Sequence, residues 1–258
     1  MPRHPAAPAS LVLLAVGALA GLGAWVALRQ PPRVTHLLSR SGTLVFSVRT
    51  TARRVAITID DGPTSGLTPR LLDVLDRHGA RATFFVLGSG VRAHPEVVAA
   101  AHAARHDIGN HGWSDRRAAL LSRAELRADL GRSATAIAAV TGAEPRLVRP
   151  GSGWLTPGQL RDVRTAGLTV VLGSVATLDL GVTDLDRELR FIVDRLRPGA
   201  IIVLHEGRGD RAGVVPLLDR LLTEVALRGY EAVTLSELLE APGAGGRRSG
   251  LVWASPGA

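Results

Sequence analysis

Between about Thr51 and Glu240, short apolar runs alternate with stretches of helical periodicity, and this alternation limits the possible folds more than any other feature of the chain. The strand candidates are VAITI (55–59), TFFVL (83–87), DIGN (107–110), RLV (146–148), TVVL (169–172), AIIVL (200–204) and EAVTL (231–235). Most are continuous in apolarity, the pattern of strands buried on both faces. The helices between them have legible ends. Thr68-Pro69 opens one that Gly79 stops, and another begins near Pro95. Ser122 with Glu125 forms a capping box, and Gly142 closes that helix. Thr156-Pro157 opens a further helix closed by Gly167, and Pro198-Gly199 ends one running from about Thr183. Strand and helix in alternation predict an α/β fold around a parallel sheet, either open or closed into a barrel of about seven strands.

The flanks differ in character. Residues 11–28, LVLLAVGALAGLGAWVAL, are uncharged and follow a short tail, 1–10. Eighteen helical residues span about 27 Å, just enough for a transmembrane anchor. The rival is a secretory signal, since Ala18-Leu19-Ala20 resembles a cleavage site. Either reading takes the chain to a membrane: a single-pass protein with an extracytoplasmic domain, or a secreted one. Residues 29–52 read as a linker with a possible edge strand, 53–240 as the main α/β domain, and 241–258, rich in Gly, Pro, Arg and Ser, as a disordered tail. The absence of cysteine excludes disulfides and thiol nucleophiles. The formal charge of +8 comes entirely with arginine as the cation, but the arginines are scattered and form no recognisable nucleic-acid module.

Parallel α/β folds carry their chemistry at the carboxyl ends of the strands. Those positions hold Asp60-Asp61-Gly62-Pro63, His111, Arg149-Pro150, Asp179 and His205. Each alone has a plain structural explanation: a turn, a hydrogen-bonded histidine, a helix cap or a surface guanidinium. Together they form the inventory of a metal-assisted hydrolase. In NHGWSD (110–115), His111 and Asp115 are four residues apart, one turn if helical, so the stretch is either part of a metal site or a solvated turn. His102 and His106 share that spacing, but position 103 is alanine where a metalloprotease helix needs glutamate, so they read as surface and boundary residues.

In this order the motifs resemble the polysaccharide deacetylase family, carbohydrate esterase family 4, over roughly Arg54 to Leu239. TIDDGP (58–63) resembles T-F-D-D-G-P, HDIGNH the approach to the second motif, RPGSG (149–153) R-P-P-Y-G, and LRPGAIIVLH the last third. The resemblance implies a deformed (β/α) barrel of about seven parallel strands, here preceded by the N-terminal hydrophobic helix. It implies a hydrolase removing N-acetyl groups from a cell-wall or extracellular glycan. Asp60 would be the general base, held by Arg149; Asp179 would orient His205, the general acid. Asp61 and His111 would ligate a divalent metal, typically zinc, with Pro150 and the backbone of Ser152 on the substrate and oxyanion side. There are three departures. Gly151-Ser152 replaces Pro-Tyr, and Leu180 replaces an expected tryptophan. Asp115 stands where the family has a second ligating histidine; it is expected to complete the metal site with Asp61 and His111, and its oxygen would make manganese, iron or cobalt competitive with zinc. Two alternatives stand beside the deacetylase: a carbohydrate-binding barrel with little turnover, and a hydrolase of another small amide or ester.

Overall fold

The computed structural model describes residues 44–176, 184–207 and 209–240. Within them the strands are β1 (Leu44–Val45), β2 (Arg54–Gly62), β3 (Ala82–Val86), β4 (Asp107–Asn110), β5 (Leu147–Val148), β6 (Thr169–Val171), β7 (Val175–Ala176), β8 (Ile201–His205) and β9 (Glu231–Val233). The helices are α1 (Thr68–Arg77), α2 (Gly88–Ala93), α3 (Pro95–Ala103), α4 (Arg123–Thr141), α5 (Pro157–Thr165), α6 (Leu185–Val193), α7 (Val214–Leu227) and α8 (Leu235–Glu240). The strands form one parallel sheet in the order β1-β6-β5-β4-β3-β2-β8-β7, with β9 also pairing to β2. All seven expected runs are strands. The sheet gains β1 at one edge, inside the segment read as a linker with a possible edge strand, and β7 at the other. Among the described residues the two edges do not pair, so the sheet is a curled, open parallel α/β arrangement. The hydrophobic stretch 11–28, the tail after 240 and Asp179 lie outside these residues, and among the described ones no helix is long and apolar enough to cross a membrane.

Local chemistry sets the helix ends. Ser122 accepts from the Glu125 N–H while the Glu125 carboxylate accepts from the Ser122 N–H, and Gly142 closes α4 in the left-handed region. Thr156 and Gln159 repeat the capping box on α5. Helix α6 starts after the Asp184 cap and stops at Val193, earlier than the Pro198-Gly199 break expected to end it.

Residue alternation on β2 explains where the site lies. Val55, Ile57 and Ile59 pack outward in a core shared with Leu71, Val74 and Leu75 of α1 and Leu217, Leu218 and Leu221 of α7. Ala56 points to the other side, into a cluster with Phe85, Ile201, Val233, Leu235 and Leu238. Thr58 and Asp60 continue that inner row toward the carboxyl end. The inner face is thus apolar at its base, closed by α8, and polar at its rim.

Candidate active site

Asp60 and Asp61 end β2, and His205 ends β8 directly opposite Asp60 in the parallel register. The Asp60 side chain is 3% exposed, so it needs a partner. Arg149, itself buried just past β5, donates from Nη1 to Asp60 Oδ1 at 2.6 Å. The same nitrogen donates to Thr58 Oγ1 at 2.8 Å, and Nε donates to the Val171 carbonyl at 3.0 Å. The Thr58 hydroxyl in turn donates to the Ile202 carbonyl, and the guanidinium lies 4.2 Å over the Phe85 ring. Burial pulls the Arg149 guanidinium down, while the charge of Asp60 opposes that shift. On the opposite side of Asp60, His205 Nε2 stands 3.9 Å from Oδ2 and is partly exposed.

Asp61 faces a different partner. His111 Nε2 lies 3.2 Å from Asp61 Oδ1, and His111 Nδ1 lies 2.7 Å from the Arg149 carbonyl. A carbonyl only accepts, so Nδ1 carries a proton. Nε2 is therefore the nitrogen that either directs a proton at Asp61 or offers a lone pair to a cation shared with it. Burial alone would push the Asp61 carboxyl up, but the His111 hydrogen bond and the charges of His111, His205 and Arg211 hold it below the ordinary range. For His111, burial works against the charged ring, and the Asp61 hydrogen bond with the Asp60 and Asp61 charges overcomes it. A carboxylate and an imidazole converging on one point, with the imidazole oriented from behind, fit two ligands of a divalent ion.

Asp115 does not join them here. Residues 113–115 form a bend rather than a helical turn, and Asp115 is exposed. Gly112, at φ 88°, turns the chain immediately after His111. The Trp113 N–H then donates to Asp129 Oδ2 on α4 at 2.7 Å, and its ring packs between Arg132 and Arg92. Among the described residues no group of three or more His, Asp or Glu side chains is gathered as a metal site. Asn110 holds the base of this loop, donating to the Leu130 carbonyl and accepting from the Gly112 N–H.

Pro150 is buried, and Ser152 sits exposed on a short 3-10 turn with φ 65°. A Cβ at Gly151 would lie 2.1 Å from the Arg116 carbonyl oxygen, so the departure from Pro-Tyr goes with a backbone contact that no side chain could share. Thr58, Asn110 and Glu206 were not singled out from the sequence. Thr58 is the polar residue on the inner row of VAITI, a visible signal; Glu206 directly follows His205. Glu206 is fully buried, and burial drives its carboxyl up to about 7 against the hydroxyls of Thr68 and Thr64. His106, expected at a boundary, is instead buried: it accepts from the Ala82 N–H at 3.2 Å and meets Phe84 edge-on.

Comparison with known proteins places these residues in context. Residues 47–171 match the family described as polysaccharide deacetylase. A peptidoglycan-N-acetylglucosamine deacetylase of Bacillus cereus is 32% identical over 204 residues, covering 78% of this chain and 95% of the relative. A solved peptidoglycan N-acetylglucosamine deacetylase superposes with TM-score 0.75 at 27% identity, covering 80% of this chain and 99% of the other. A family 4 acetyl xylan esterase from Clostridium thermocellum, solved with a cobalt ion, gives TM-score 0.68 at 31% identity over 72% of this chain and 90% of that one. The chain belongs to the polysaccharide deacetylase family.

Proposed function

We propose that this member of the polysaccharide deacetylase family is a divalent-metal-dependent hydrolase that removes N-acetyl groups from a cell-wall glycan by hydrolysing the amide C–N bond. The observation that carries the reading is the paired arrangement on one rim: a buried Asp60–Arg149 ion pair beside a converging Asp61–His111 pair, with His205 on the other side of Asp60. A glycan-binding surface has no use for a carboxylate buried against arginine next to a titratable histidine. Relatives named as peptidoglycan and chitooligosaccharide deacetylases support the substrate class.

Each residue has a task in amide hydrolysis. Asp60, kept anionic by Arg149, takes the proton of the attacking water. Asp61 and His111 would hold the metal, which when bound would polarise the acetyl carbonyl and make the attacking water more acidic. His205 delivers a proton to the departing amine, oriented by Asp179, and the Ser152 N–H serves as an oxyanion donor beside Pro150. Asp115 joins the ligands if its bend closes toward Asp61 and His111. Zinc is the first candidate, and an oxygen-rich shell admits manganese, iron or cobalt. Residues 11–28 bring the chain to a membrane, anchored or cleaved, with the domain on the outer side where cell-wall glycans lie.

A second reading, a glycan-binding barrel with little turnover, is favoured by one observation: Asp61 and His111 gather no third ligand among the described residues. The test is acetate release from peptidoglycan and from chitooligosaccharide by the zinc-loaded chain. The deacetylase reading expects turnover that Asp60→Asn abolishes; glycan binding with no acetate release selects the second reading. Asp115→Ala lowers zinc affinity if Asp115 is a ligand, and unchanged affinity leaves a two-residue seat.

A further inference from the structure

Glu206 has no part in the chemistry above, yet its carboxylate is enclosed by the loop that carries the chemistry. It is 0% exposed at the end of β8, and its N–H donates to the Asp60 carbonyl at 3.1 Å. Its Oε2 accepts from the hydroxyls of Thr68 and, at 3.2 Å, Thr64. Both hydroxyls are also used as acceptors: Thr68 Oγ1 takes the Thr64 N–H at 2.8 Å, and Thr64 Oγ1 takes the Leu67 N–H at 3.2 Å. Each threonine thus has its proton directed at Glu206 and a lone pair committed to the loop, so the donors have one consistent arrangement.

The other oxygen, Oε1, is buried without a hydrogen-bond partner and lies against Gly62. A Cβ built on Gly62 would be 2.1 Å from it. One carboxylate therefore touches the turn Asp60-Asp61-Gly62-Pro63 at Gly62 and, through Thr64 and Thr68, ties it to the segment that follows. Inside that turn Asp61 has φ 70°, a left-handed conformation that a non-glycine residue keeps only when its surroundings impose it.

We infer that Glu206 is a positioning residue for the metal-binding turn: by bridging Gly62 to Thr64 and Thr68 it holds Asp61 in its left-handed conformation with the carboxylate aimed at His111. This rests on the functional reading given above. Glu206 touches no reacting atom; it acts through Asp61. A buried carboxylate with one bare oxygen is a costly packing element, and its place against the strained ligand-bearing turn gives it a use there.

The test uses the full chain and four variants: Glu206→Ala, Glu206→Gln, Thr68→Val and Gly62→Ala. Zinc affinity is measured by titration calorimetry, and kcat and KM by acetate release from chitooligosaccharide. Glu206→Ala, Thr68→Val and Gly62→Ala are expected to weaken zinc binding and lower kcat by about 10- to 100-fold, the range for residues that orient a ligand, with KM little changed. Glu206→Gln keeps the shape and an acceptor for the threonines, and should recover most of the loss. Thr68→Val removes one donor at nearly constant volume, so it reads the clamp even where Glu206→Ala fails to fold. Wild-type zinc affinity and kcat in both Glu206→Ala and Thr68→Val, with only thermal stability reduced, overturns the inference. A wild-type chain that binds zinc but releases no acetate defeats the functional reading and leaves zinc affinity to judge Glu206. A chain that does neither overturns both.

Discussion

Arg149→Met removes the cation from a pair in which both side chains are almost fully enclosed, at 4% and 3% exposure. At about 4 Å between charge centres and an effective dielectric of ~20, the lost attraction is about 4 kcal/mol before desolvation is counted. Removing one partner of a buried pair costs about 3–5 kcal/mol, because the other charge stays enclosed. Methionine retains much of the packing on Phe85 but none of the donors to Asp60, Thr58 and Val171. Arg149→Met should therefore lose about 3–5 kcal/mol in urea denaturation followed by tryptophan fluorescence. Asp60→Asn strands the guanidinium and should also be destabilising. The double variant strands neither charge, so it should be less destabilised than the sum of the two by about 2 kcal/mol. The coupling should persist at high salt, since a buried pair is poorly screened. None of the three variants should release acetate. If the two destabilisations simply add, the charges are not coupled, and the argument that Arg149 holds Asp60 fails.

Three further outcomes follow from other parts of the molecule. His106 has an ordinary value of 6.5 and is brought down by burial, then by Arg81, to about 4 in the fold; its contribution is complete above pH 6.5 and is lost as pH falls toward 4, about 3 kcal/mol in all. His106→Leu should flatten that part of the stability–pH curve, and an unchanged slope refutes the assignment. Asp61→Asn should lose bound zinc together with activity, whereas Asp60→Asn should lose activity alone; equal zinc loss, measured by elemental analysis, contradicts the division of labour. Ser122→Ala breaks the capping box on α4 and should cost about 1 kcal/mol in thermal unfolding, with no effect on metal content.

The strands that run continuously apolar were legible from sequence because burial on both faces leaves little polar alternation, and β3 is buried at every position. The strands β1 and β7 are two residues each at the sheet edges, outside the alternation of helix and strand that exposed the equally short β5. The pairing of Asp60 with Arg149 was legible only through the family resemblance, since 89 residues separate them. Local geometry was harder to read. The four-residue interval from His111 to Asp115 suggests one face of a helix, but the left-handed Gly112 bends the chain and the Asp129 carboxylate draws Trp113 toward α4, leaving Asp115 exposed. His106 read as a boundary residue because it follows a helix end; only the fold brings the Ala82 N–H to its ring. Glu206 gave no signal of its role, because that role depends on the shape of a loop more than 130 residues earlier.

The central strand β2 has late partners. It meets β3 along its second half soon after synthesis, but β8 and β9 supply its other neighbours, and the Thr58–Ile202 hydrogen bond closes 144 residues of sequence. A nascent chain emerging from the ribosome must therefore hold an apolar strand with an open edge until nearly the whole domain has been made. Loop closure on that scale slows folding, and an exposed apolar edge invites pairing with another chain. Chains that terminate before β8 should accumulate as aggregates or be degraded, and the domain should acquire protease resistance only when β8 and β9 have both arrived.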